Sequence, residues 1–185
     1  MRIIFLIMCF MVISTPAFTE SDWRIQAFDR DIALSEELLA KEAVIMKNLE
    51  PKTALFYASW SDFSRIVREM RRHAFLKRLK DDPAAKWLDA DPTHWVTWSP
   101  EERNRLAAAD SSYRKLLEDY NKKRIALKGF EVKASKELRD KLYFEHFDLF
   151  QPLENESTMK MKLLESDITN AIANQKNAPD PKPVR

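Results

Sequence analysis

Apolar residues recur along this chain at threes, fours and sevens, the spacing of one helix face. A first stripe, Ile25, Phe28, Ile32, Leu39, Met46 and Leu49, predicts a helix from Ser21 to Leu49. A second segment opens after Pro51 and reaches about Lys80, with Ser61-Asp62 as a point where it could restart. On its wheel Phe63, Ile66, Val67, Met70 and Ala74 share a face, whereas Phe75, Leu76 and Leu79 fall on another. The stripe turns at Ala74, so either the helix breaks there or its last turns meet a different partner. A third helix opens at Ser99-Pro100-Glu101-Glu102, a cap, a first-turn proline and a glutamate placed to return the capping bond. Its stripe of Leu106, Ala109, Tyr113, Leu116, Tyr120 and Leu127 runs to Lys128, with Gly129 as the terminating residue. Segments 134–150 and 153–176 follow, the latter carrying Met161, Leu164, Ile168, Ala171 and Ile172 on one face.

Composition makes this an all-α chain. Gly129 is the sole glycine of 185 residues, where ordinary usage would give about thirteen. Hairpins need glycine for positive-φ turns and long helices do not. Pro51, Pro83, Pro92, Pro100 and Pro152 fall between the periodic segments. The expectation is an elongated bundle of four to five helices, with the first and third, each ~40 Å long, as its two long members.

The N-terminus reads as a signal peptide. Met1-Arg2 is a short positive start, Ile3 to Ile13 is unbroken apolar sequence, and Ser14-Thr15-Pro16-Ala17 closes it with small residues. A membrane-spanning helix needs ~20 apolar residues, more than this run supplies. The domain boundaries expected are therefore 1–17 as a signal peptide cleaved after Ala17, 18–176 as one helical domain, and 177–185 (NAPDPKPVR) as an extended tail. Cleavage removes Cys9, the only cysteine, so disulfides, thiolate metal sites and thiol nucleophiles drop out together. The expected location is the periplasm or the extracellular space.

Two stretches stand out as candidate contact surfaces. KWLDADPTHWVTWSPEE, 86–102, gathers Trp87, His94, Trp95 and Trp98. It is either an aromatic binding edge or a wedge that pins a long connection, and large aromatics favour the wedge. Trp98 stands just before the Ser99 cap, positioned to pack back on Arg103 or Leu106. RIVREMRRHAFLKRLK, 65–80, holds seven Lys or Arg against Glu69 alone, with Arg65, Arg68 and Arg72 opposite the apolar face. That is a site for an anionic partner or a solvated face matched to the acidic first helix, where seven acids outnumber four bases. The whole chain carries +2 and Arg2 leaves with the signal peptide, so the mature charge of +1 favours the second reading. Basic residues confined to one segment argue against nucleic acid.

KLYFEHFDLF, 141–150, is apolar over most of a helical circumference and predicts a central helix, with Glu145 desolvated. His73, His94 and His146 lie in three different segments, so no metal site or cofactor is expected. No glycine-flanked serine or phosphate loop is present either. SPEERNRL, 99–106, resembles the helix-opening motif of small periplasmic helical chaperones and metal sensors, over a length that any capping box shares. The reading that results is a non-enzymatic, exported helical interaction protein with another envelope protein as partner. Its candidate contacts are Arg65, Arg68, Arg72, Trp87, His94, Trp95 and Trp98. The alternatives are a peripheral binder of anionic membrane or polyanion through 65–80, and a cell-wall hydrolase acting through Glu145.

Overall fold

The computed structural model describes residues 22–177, so the stretch expected to be a signal peptide and the expected tail beyond 177 lie outside the described residues. Within them the chain is all-helical, with six α-helices and no strand. These are α1 (Trp23–Leu49), α2 (Ala54–Asp81), α3 (Pro100–Ala109), α4 (Ser111–Ala126), α5 (Phe130–Glu145) and α6 (Phe147–Asn177). Single 3₁₀ turns occupy Pro51–Thr53 and Pro92–Trp95. No helix among the described residues is long and apolar enough to cross a membrane.

The long elements differ from those expected. The third predicted helix is two, because Asp110 between α3 and α4 takes an extended backbone, φ −138° and ψ 119°. Its carboxylate accepts from the amides of Ser112 and Tyr113 and also meets His73 Nε2 at 3.1 Å. An N-cap with a cross-helix partner outweighs the modest propensity of a serine pair to continue the helix. Conversely, Pro152 does not separate two segments; it lies inside α6, and the break comes at His146. The apolar residues on the two sides of His146 meet in one cluster, where the ring centroids of Tyr143 and Phe150 lie 4.8 Å apart. Those of α5 reach α2 and α1, and Phe150, Leu164 and Ile168 of α6 are buried along α1. The longest helices are consequently α1, α2 and α6, at 27, 28 and 31 residues.

Gly129 is not a left-handed terminator either. It is extended at φ −60° and ψ 144° and caps α5, while the one positive φ among the described residues belongs to Ala85, at 48°. Gly129→Ala is therefore expected to shift the unfolding free energy by no more than about 0.5 kcal/mol in urea titration, although the new Cβ would lie 3.1 Å from the Ala126 carbonyl. A left-handed glycine would lose about 1 kcal/mol or more.

Helix α1 packs antiparallel to α6 and to α2, and α2 packs antiparallel to α4, where Phe63 meets Tyr120 and His73 meets Asp110. On α1, Arg30, Glu37 and Lys41 pair with Asp167, Lys160 and Glu156 of α6, numbers falling as the others rise. Glu36 and Asp29 pair with Arg68 and Arg72 of α2, and Asp62 of α2 pairs with Lys123 of α4. The core lies in two parts. Phe28, Phe75 and Trp95 stack in the larger, with centroids 4.4 to 6.4 Å apart, and Met46, Phe56, Tyr57 and Phe150 form the smaller. This resolves the turn of the α2 stripe at Ala74. The helix continues unbroken, and its last turns meet the 82–99 connection, where Phe75 faces Trp87 and Trp95.

The smaller core is tied by α5. Thr53 caps α2 without a side-chain bond. Ser135 supplies it from α5 instead, accepting from the Phe56 amide at 3.0 Å and donating to the Lys52 carbonyl at 2.8 Å. Next to it Arg139 binds Glu42 of α1, which also accepts the Tyr57 hydroxyl at 2.6 Å.

Candidate functional site

The 82–99 connection is held from every side. Arg24 donates to the Pro83 carbonyl at 2.7 Å, Arg78 to the Trp95 carbonyl at 3.0 Å, and the Trp95 indole to the Asp89 carbonyl at 3.0 Å. Trp95 is wholly buried. Trp87 and Trp98 are half-buried beneath guanidinium groups, Arg78 at 4.0 Å from the Trp87 ring and Arg103 at 5.1 Å from that of Trp98. Trp98 thus packs towards one of its two expected targets. The Ser99 hydroxyl accepts from the Glu102 amide, but the Glu102 carboxylate is taken by Arg105, so the return bond expected of it is absent. His94 is exposed between Asp89 and Asp91, whose carboxylates hold its imidazole above the ordinary pKa. A cleft of about 530 Å³ opens beside Trp87, between the end of α2 and the start of α3. Four of its charges pair at close range, Lys77 with Asp81 and Arg105 with Glu102, and Arg78, Asp82 and Glu101 line it as well.

The arginine face of α2 is matched as well. Arg65 pairs with Glu69 at 2.8 Å, Arg68 with Glu36 at 2.5 Å and Arg72 with Asp29 at 2.7 Å. Two of those three acids come from α1. Of the seven candidate contacts, the structure brings Trp87, Trp95 and Trp98 into or against the core, leaves His94 on the loop surface, and spreads the three arginines along α2.

Segment 141–150 is not central. Glu145 is exposed at the end of α5 and pairs with Lys141 at 3.6 Å, so the desolvation expected of it is missing. Phe144 beside it is 79% exposed, and Phe147 and Leu149 also face solvent. Only part of the run faces outward, since Leu142 and Tyr143 are half-buried and Phe150 is buried.

A different place gathers apolar surface with charges of both signs, Asp31 and Glu42 against Arg68 and Arg71. Between α1 and α2, on the side covered by neither α6 nor α4, an open groove of about 370 Å³ is floored by Ile32, Leu39, Phe63 and Val67. Trp60 walls one end and remains 37% exposed. Asp31 and Glu42, the acidic groups at the two ends, stand eleven positions apart on α1, about 16 Å or three turns. Glu42 is satisfied by Arg139 and Tyr57. Arg68 lies on the rim, turned to Glu36.

Trp87 Nε1 and the Tyr113 hydroxyl are the fully buried polar atoms without a partner among the described residues, and Asp31 stands apart among the carboxylates. It is 3% exposed, yet no donor among the described residues hydrogen-bonds its carboxylate. Ser35, one turn on, donates to the Asp31 carbonyl instead. Burial raises the Asp31 carboxyl above its ordinary value of 3.8, Arg71 opposing the shift and Asp91 adding to it. Arg71 serves Asp91 too, and its guanidinium reaches the Thr93 carbonyl at 3.5 Å. Buried carboxylates are ordinarily paired and hydrogen-bonded, because desolvating an isolated one is costly. Sequence reasoning missed this residue, which reads as one solvated acid among seven in the first helix.

No family model, curated protein or solved structure matches the chain.

Proposed function

We propose that this chain is an exported, non-enzymatic helical interaction module, and that another envelope protein lays a helix into the α1–α2 groove. The observation that supports it most is the groove itself: an apolar floor three turns long with a tryptophan at its edge. Amphipathic helices dock in such surfaces through anchors spaced by three and four. The leader, the single helical domain and the bundle architecture belong to the same proposal. The basic helix 65–80 offers less for a membrane or polyanion, since Arg65, Arg68 and Arg72 already hold carboxylates.

The test is a photoreactive residue in place of Trp60, with a second at Phe144, in the cells that make the protein. One discrete protein adduct at position 60, abolished by Val67→Glu and reproduced with the purified partner, is the expected result. Adducts of equal strength at 144, or an adduct at 60 indifferent to Val67→Glu, would remove the groove from the account.

A further inference from the structure

We infer that the α1–α2 groove selects a partner helix bearing a lysine or arginine, seated against Asp31. The inference rests on the proposed docking of a helix and adds what the groove demands of it.

Charge complementarity carries the argument. At one end of the groove Glu42 already receives Arg139 and the Tyr57 hydroxyl, so a new cation there would displace an existing one. At the other end two carboxylates, Asp31 and Asp91, share the attraction of Arg71. Asp91 has help: His94 lies 3.4 Å away, and the Thr93 amide and hydroxyl both donate to it, at 2.8 and 2.7 Å. Asp31 has none of these, and its nearest hydroxyl, Ser35, is engaged elsewhere. The acceptor left without a hydrogen-bond donor is therefore Asp31, and it lines the open groove beside Arg71, whose guanidinium is turned to the Thr93 carbonyl. A guanidinium or ammonium brought there on a docked helix would give it a charge-assisted bond. A neutral partner would leave the carboxylate buried and unsatisfied, which is the stronger discrimination of the two. The apolar floor sets the rest of the partner's pattern, large side chains at helical spacing over Phe63, Val67 and Leu39.

The experiment is a selection from a displayed library of amphipathic helical peptides, leucine at the core positions and all polar positions randomised. The full mature chain is the bait, and Val67→Glu protein serves for counter-selection. Groove binders should converge on Lys or Arg at one fixed end position. Replacing that residue by Gln should weaken binding at least about tenfold to the parent and not measurably to Asp31→Asn. Groove binders with no basic preference, or a preference equally strong on Asp31→Asn, would overturn the inference while leaving helix docking intact. A library yielding no binder sensitive to Val67→Glu would instead defeat the docking reading beneath it. Because Asp31→Asn removes a buried charge and nearly preserves volume, its folding is checked by circular dichroism before use.

Discussion

Trp95→Ala should destabilise the protein by about 3–5 kcal/mol, the range for emptying a buried aromatic site. A domain of this size has only about 5–15 kcal/mol in total, so the variant would be marginal. The ring lies within 6.4 Å of Trp23, Phe28 and Phe75, so its removal opens a cavity where α1, α2 and the connection meet. The indole bond to the Asp89 carbonyl goes with it. Equilibrium unfolding in guanidinium measures the loss, and His94→Ala is the control. His94 is exposed and touches only loop carboxylates, so it should move the midpoint little. A small effect at Trp95 would mean that the loop is held by its backbone bonds alone.

Arg139→Ala should cost on the order of 3 kcal/mol, because it strands Glu42, whose side chain is only 13% exposed. Tyr57 would remain as a donor, at 2.6 Å, and one neutral hydroxyl does not replace a guanidinium. Burial, with Glu42 accepting its bond, already pushes the Tyr57 phenol above its ordinary range. Exchanging both partners for apolar groups, Glu42→Leu with Arg139→Met, should recover most of the loss, since the charges no longer need each other. A double-mutant cycle by urea unfolding reads the coupling directly. Additive single effects would show that α5 is held by its apolar contacts and by Ser135, not by this pair.

Much of the fold was legible in the sequence. The stripes of α1 and of the last helix turned inward as their spacing required, with Phe28, Met46, Leu164 and Ile168 all buried. The wedge reading of the tryptophan stretch matches the complete burial of Trp95. What failed were decisions that local pattern leaves balanced. Asp110 can continue a helix or cap one, and His73, 37 residues away, helps settle it. Gly129 can end a helix or begin one. Residues 141–150 look central on one continuous helical wheel, and the helix breaks at His146.

The groove was invisible for a deeper reason. Ile32, Leu39, Phe63 and Val67 have core periodicity, and only the positions of α4 and α6 reveal that one side of the α1–α2 pair stays open. Asp31 shares Arg71 with Asp91, sixty residues further on, which no spacing within α1 could announce.

On the groove reading, Asp31 is held there at a cost to the free protein. Denaturant unfolding of Asp31→Asn against the parent, across pH, tests it most directly. A folded pKa above the unfolded one means that the parent binds more protons folded than unfolded, so Asp31 removes stability as pH rises through the window above 3.8. The asparagine variant should therefore match the parent at the acid end of that window and exceed it at neutral pH, provided no partner is bound. If Asp31→Asn is instead the less stable protein at neutral pH, Asp31 is a structural partner of Arg71, and the groove has no unmatched charge to offer.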